Sequence, residues 1–150
     1  MGFFQNKNYP KWLLVIYALF WSITAINPPH LQDFILENIL NFFLVAVIIL
    51  TYKKFRLSNV SYTLIFIYMV LVSTGAHYTY AEVPYNEWSK KILGIGINEL
   101  FGFERNHYDR LVHFTFGLLI AYPIREVFMR IANVKGFWSY YLPFDVTLSF

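Results

Sequence analysis

The run Phe34-Ile35-Leu36-Glu37-Asn38-Ile39-Leu40-Asn41-Phe42-Phe43-Leu44-Val45-Ala46-Val47-Ile48-Ile49-Leu50-Thr51-Tyr52 holds one charge, and Lys53, Lys54 and Arg56 follow it directly. At 1.5 Å per residue it makes a helix about 28 Å long, close to the ~30 Å hydrocarbon core of a bilayer. It reads as a membrane span whose end is pinned by basic residues at the headgroups.

Similar runs lie on either side. A first, Trp12 to Ile26, follows Lys11 and stops at Asn27-Pro28-Pro29, where proline cannot continue a helix. It lacks an Ala-x-Ala-like exit and reads as a retained span, not a cleaved leader. A third run covers Val60 to Ala76, and a fourth covers Asp109 to Phe128 after a long connection that ends near Arg105. The last begins near Gly136-Phe137-Trp138 and is still apolar at Phe150. Its length, about 22 Å as a helix, falls short of the core. The expected fold is an all-α, polytopic transmembrane helix bundle of about five spans, the last incomplete. Residues 1–150 would form a single integral membrane domain, cut off inside a span.

Composition agrees and excludes other classes. With 57% hydrophobic and 14% charged residues, the chain is too apolar for a soluble domain of its size. The absence of cysteine rules out a thiol nucleophile, a thiolate zinc site and a disulfide. The basic residues form no stripe, so the net charge of +3 does not point to nucleic acid. It bears on topology instead. With the N terminus in the cytoplasm, Lys7, Lys11, Lys53, Lys54, Arg56, Arg125, Arg130 and Lys135 fall inside, against Lys90, Lys91, Arg105 and Arg110 outside, as the positive-inside rule requires.

That topology brings His30, His77, His107 and His113 to the outer side. His113 stands inside the fourth run with Asp109 four residues before it, on one helical face, and His77 leaves the membrane where the third run ends. Ionisable groups at membrane depth cost a few kcal/mol and tend to mark a site or a paired contact. His77, Asp109 and His113 are therefore the candidate site. Glu37, Asn38 and Asn41 at the outer end of the second run would extend it into an outward-facing polar pocket. Plainer roles stand beside this one: Asn106 as a helix N-cap with Asp109 in the first turn, His30 and His107 as loop or cap residues, and Arg125, Glu126 and Arg130 as snorkelling anchors. The connection from Tyr78 to Arg105 interleaves Trp88, Ile92, Leu93, Leu100, Phe101 and Phe103 with charges, as an interfacial segment or lid would.

The motifs Gly75-Ala76-His77-Tyr78-Thr79-Tyr80-Ala81-Glu82-Val83-Pro84, Glu104-Arg105-Asn106-His107-Tyr108-Asp109-Arg110, His113-Phe114 and Arg125-Glu126 together resemble the YjdF-like family of bacterial inner-membrane proteins. The resemblance implies a polytopic membrane protein without fixing its chemistry. It also implies a further membrane segment, carrying Tyr-Glu and Glu-Trp, beyond the last run. Asp109-Arg110-Leu111-Val112-His113-Phe114 is similar, over this helix alone, to the Asp-Lys-x-x-His-Phe pattern of VanZ-like membrane proteins.

Three functions are open on these residues. As an enzyme, His77, Asp109 and His113 would hold a divalent metal, or Asp109 would orient His113 as acid or base, on an envelope or lipid-linked substrate. The spacing matches no His-Glu-x-x-His motif. As a proton-coupled or small-solute transporter, the same residues would form a relay, although no inverted repeat is visible. As a scaffold, they would be interhelical hydrogen-bond contacts to a membrane partner or a second copy.

Overall fold

The computed structural model describes residues 8–149; Lys7, counted above with the basic residues, lies outside them. The described residues are helical with connecting turns and contain no strand. Helix α1 spans Tyr9–Thr24, α2 Leu31–Thr51, α3 Asn59–His77, α4 Tyr85–Leu93 and α5 Ile97–Phe101. Helix α6, Tyr108–Thr115, continues through a π-helical segment, Phe116–Ile120, into α7, Ala121–Ile131, as one rod; α8 is Trp138–Leu148. Three of these are long and apolar enough to cross a membrane: Leu31–Thr51, Asn59–His77 and Tyr108–Ile131. Helices α1 and α8, of 16 and 11 residues, are shorter.

Local sequence explains the boundaries. Proline opens α1 at Pro10, where a missing N–H costs nothing, and the chain leaves it through Asn27 (φ 49°) into Pro28-Pro29. Ser58 caps α3 by accepting from the Ser61 amide at 3.2 Å. The π segment has an evident cause in the buried Pro123, which lies three residues beyond its end. In a regular α-helix the proline ring would strike the carbonyl of Leu119, and widening that turn relieves the clash.

Helix α3 is the hub, packing against α1, α2 and the α6–α7 rod. It runs parallel to α1, in a register set by three hydrogen bonds from one end to the other: Tyr9 hydroxyl with Thr63 Oγ1 at 2.7 Å, Tyr17 hydroxyl with Ser73 Oγ at 3.0 Å, and His77 Nδ1 with the Thr24 carbonyl at 2.6 Å. Against the rod it is antiparallel, with Tyr108 hydroxyl donating to the Leu71 carbonyl at 2.9 Å, Tyr68 beside Phe116, and Ser61 bonded to Glu126. The starts of α1 and α3 and the ends of α2 and α7 thus share one basic end, marked by Lys11, Lys53, Lys54, Arg56 and Arg130.

Candidate functional site

The structure does not gather His77, Asp109 and His113 into one site. His77 turns toward α1. Its Nδ1 proton is donated to the Thr24 carbonyl, and its ring lies edge-on to Tyr78. On α6 the side facing α3 is made by Tyr108 and Val112, each 5% exposed, while Asp109, Arg110, His113 and Phe114 are exposed. Asp109 and His113 are one residue further round the helix than the packed pair, about 100° away. Among the described residues neither makes a hydrogen bond or ion pair, and no three His, Asp or Glu side chains are grouped so as to hold a metal. A histidine whose Nδ1–H is tied to a backbone carbonyl is oriented as metal-bound histidines often are. His77 has that first feature and lacks the companion donors. The three-ligand metal centre expected from spacing is therefore not assembled in this arrangement.

The other polar candidates are spoken for. Asn38 and Asn41 are buried; Trp21 Nε1 of α1 donates to Asn38 Oδ1 at 2.8 Å, Asn38 Nδ2 donates to the Phe34 carbonyl at 2.7 Å, and Asn41 Nδ2 donates to Asn38 Oδ1 at 3.4 Å. Asn38 thus ties α2 to α1, and neither asparagine borders the cavity lined by Leu14, Val45 and Ile65. His30 pairs with Glu82 at 3.4 Å in an exposed connection, and His107 Nδ1 accepts from Arg110 at 2.9 Å. Asn106 does not cap α6 from the N-cap position, which His107 holds; its Oδ1 accepts from the Tyr108 amide at 2.9 Å and its Nδ2 donates to Val83 at 2.8 Å. At the basic end, Glu126 is not a loose anchor. Its carboxylate accepts from the Ser58 amide at 2.9 and 3.0 Å, from Ser61 Oγ at 2.5 Å and from Arg130 at 2.7 Å, locking α7 to the start of α3. Arg125 lies over the Tyr140 ring at 4.1 Å and ties α7 to α8.

Spacing did not reveal the turn from Gly75 to Pro84. Thr79 and Tyr80 both take the left-handed conformation (φ 55°), a costly geometry for residues with a side chain, and the Tyr80 amide donates back to the Gly75 carbonyl at 2.7 Å. The Tyr80 ring folds down onto Gly75, where a Cβ would come within 2.3 Å of it. This explains why residue 75 has no side chain. Burial pushes the Tyr80 hydroxyl well above its ordinary value, and the Glu37 carboxylate of α2 lies close enough to push it further. Tyr80 and Tyr85 both pack beside Tyr108, with centroids 6.5 and 6.4 Å away. Tyr85 hydroxyl donates to Asn98 at 2.6 Å and accepts from the His107 amide at 3.0 Å. The connection between α3 and α6 is thus a cap fastened to the end of α3 and the start of α6. Its two short helices are joined by Asn86 Oδ1 accepting from the Asn98 amide at 2.9 Å and by the exposed Lys90–Glu99 pair. That pair raises the Lys90 ammonium and lowers the Glu99 carboxyl from their ordinary values. Glycine at 75 five residues before a tyrosine was the available signal, but it has no period and so escapes a search for amphipathic faces.

Over 92 residues the chain is 36% identical to Inner membrane protein YjdF of Escherichia coli (strain K12), a stretch that covers 61% of this chain and 40% of that protein. The matched region is thus well under half of the relative's length. No solved structure matches. The family described as Predicted membrane protein (DUF2238) matches residues 9–150, a range that takes in every helix from α1 to α8 and the Gly75–Pro84 turn; the chain belongs to that family.

Proposed function

We propose that the chain is part of a multi-pass protein of the bacterial inner membrane that serves as an assembly scaffold, using the outer half of α6 to hold another membrane helix. In this reading α1, α2, α3, the α6–α7 rod and α8 all enter the bilayer with the N terminus in the cytoplasm. The clustering of basic residues at one end supports that orientation, and the likeness to an inner membrane protein of Escherichia coli supports that location. The observation that carries the scaffold role is the contrast on α6: Tyr108 and Val112 face α3, while Asp109 and His113 stand exposed on the neighbouring face. An aspartate or histidine that faces lipid costs a few kcal/mol, a cost that a polar partner helix removes. The occupant is a transmembrane helix with hydrogen-bonding side chains.

The chain has no cysteine, so single-cysteine variants report cleanly. In native membranes, a short thiol-anchored photocrosslinker on His113→Cys should join α6 to protein. The mass of the product separates a second copy from another polypeptide and from a further segment of the same chain. The same reagent on Val112→Cys should react only with α3. Capture of lipid alone from position 113 would end the scaffold reading.

A further inference from the structure

We propose a binding groove for one anionic phospholipid at the basic end of the bundle, between α1 and α2. The two helices meet near their far ends, where Trp21 stacks on Phe34, meets Phe42 edge-on and donates to Asn38. Toward the basic end they diverge around a cavity of about 310 Å³. Leu14 lines one wall, Val45 and Ile48 the other, and Ile65 and Met69 of α3 form the floor. The volume is in the range of pockets that hold a ligand.

The mouth gives the occupant its chemistry. Lys11, in the first turn of α1, and Lys53, just past α2, both border the cavity, and both are exposed. Neither has an acidic partner among the described residues. Glu126, the carboxylate tied to α3 at this end, is occupied by Ser58, Ser61 and Arg130. Two unneutralised ammonium groups above an apolar slot match a phosphate headgroup above an acyl chain. Tyr52 and Tyr62 stand at the same level, with ring centroids 6.3 Å apart, and supply the amphipathic edge expected where chain meets headgroup. Assigning the lipid to the inner leaflet rests on the cytoplasmic orientation proposed above; the groove itself does not.

The test is native mass spectrometry of the purified full-length protein in detergent, titrated with phosphatidylglycerol or phosphatidylcholine of identical acyl chains. This readout is independent of orientation and of the α6 partner. One phosphatidylglycerol should bind per chain, preferred over phosphatidylcholine on the order of tenfold. Lys11→Gln with Lys53→Gln, both surface changes, should erase that preference, while Lys54→Gln, outside the lining, should keep it. Val45→Phe, which fills the slot, should reduce binding of both lipids. Equal binding of the two lipids by the wild type would overturn the proposal. So would a preference that survives the double substitution, or phosphatidylglycerol binding that arises only after residues 1–7 are removed, which would make the N-terminal segment the occupant.

Discussion

The seam between α1 and α3 and the first turns of α6 both place polar side chains in apolar helices, and they use them in opposite ways. Along the seam, Tyr9, Tyr17 and His77 each meet a partner on the facing helix at 2.6–3.0 Å. On α6, Asp109 and His113 meet none among the described residues. A polar residue in a span therefore has two physical meanings. Paired across a seam it fixes register and belongs to the fold, while left open it is the feature on which the proposed partner helix rests.

The largest break in this comparison should come from Gly75→Ala. The new methyl would meet the Tyr80 ring at 2.3 Å, and that ring is held by a left-handed backbone. Overpacking of this kind costs about 1–3 kcal/mol, so we expect a clear fall in thermal midpoint and in folded yield from detergent. Glu126→Ala comes next. It strands the Ser58 amide and removes the tie from α7 to the start of α3, while Arg130 keeps the Arg56 carbonyl, a loss of about 2 kcal/mol by the usual cost of unsatisfied partners. Trypsin accessibility near Arg56 and Arg130 should rise with it.

Tyr17→Phe and His77→Ala each remove one seam bond and should cost about 0.6 kcal/mol, at most roughly 1.7, as interhelical bonds in membranes do. Their double variant should lose the sum, because the two bonds sit at separate levels of the seam. If His77→Ala also depletes a bound metal from the purified protein, the seam reading of His77 is wrong. Asp109→Asn and His113→Ala should each leave stability of the isolated chain within about 0.5 kcal/mol, as exposed positions do, and Asp109→Asn should reduce crosslinking of the partner helix from position 113. The smallest effect is expected at Glu99→Gln. Glu99 has a lowered carboxyl value, so its contribution is present above the ordinary carboxylate range and is lost only as pH falls through the folded value. Lys90, raised, loses its contribution only as pH rises through its own folded value. A thermal midpoint flat across neutral pH, with or without Glu99→Gln, is the expected result.

The helices themselves were legible in the chain. The runs from Trp12, Phe34, Val60 and Asp109 became α1, α2, α3 and the α6–α7 rod, because an apolar run away from water must satisfy its own backbone as helix; α2, α3 and the rod are long and apolar enough to cross a membrane. The long connection between the third and fourth runs folds into the short helices α4 and α5. The face that each polar residue would present was not legible. Asp109 and His113 share a stripe, but so do Tyr108 and Val112 one position earlier, and four-residue spacing alone does not say which stripe meets α3. The order of the runs points His77 toward α6, since the fourth run begins where the third ends; the parallel packing of α1 on α3 offers it Thr24 instead. The strained Gly75–Tyr80 turn and the divergence of α1 from α2 around the cavity depend on packing between distant residues and leave no period in sequence.

The central claim is that α6 carries an open face meant for protein. Single spin labels in native membranes test it directly, at His113→Cys, at buried Val112→Cys and at Leu40→Cys, which is 75% exposed on the apolar α2. Collision with a lipid-soluble relaxation agent should be high at 40 and low at both 112 and 113. A rate at 113 that matches the rate at 40 would mean the face meets lipid, and would contradict the account.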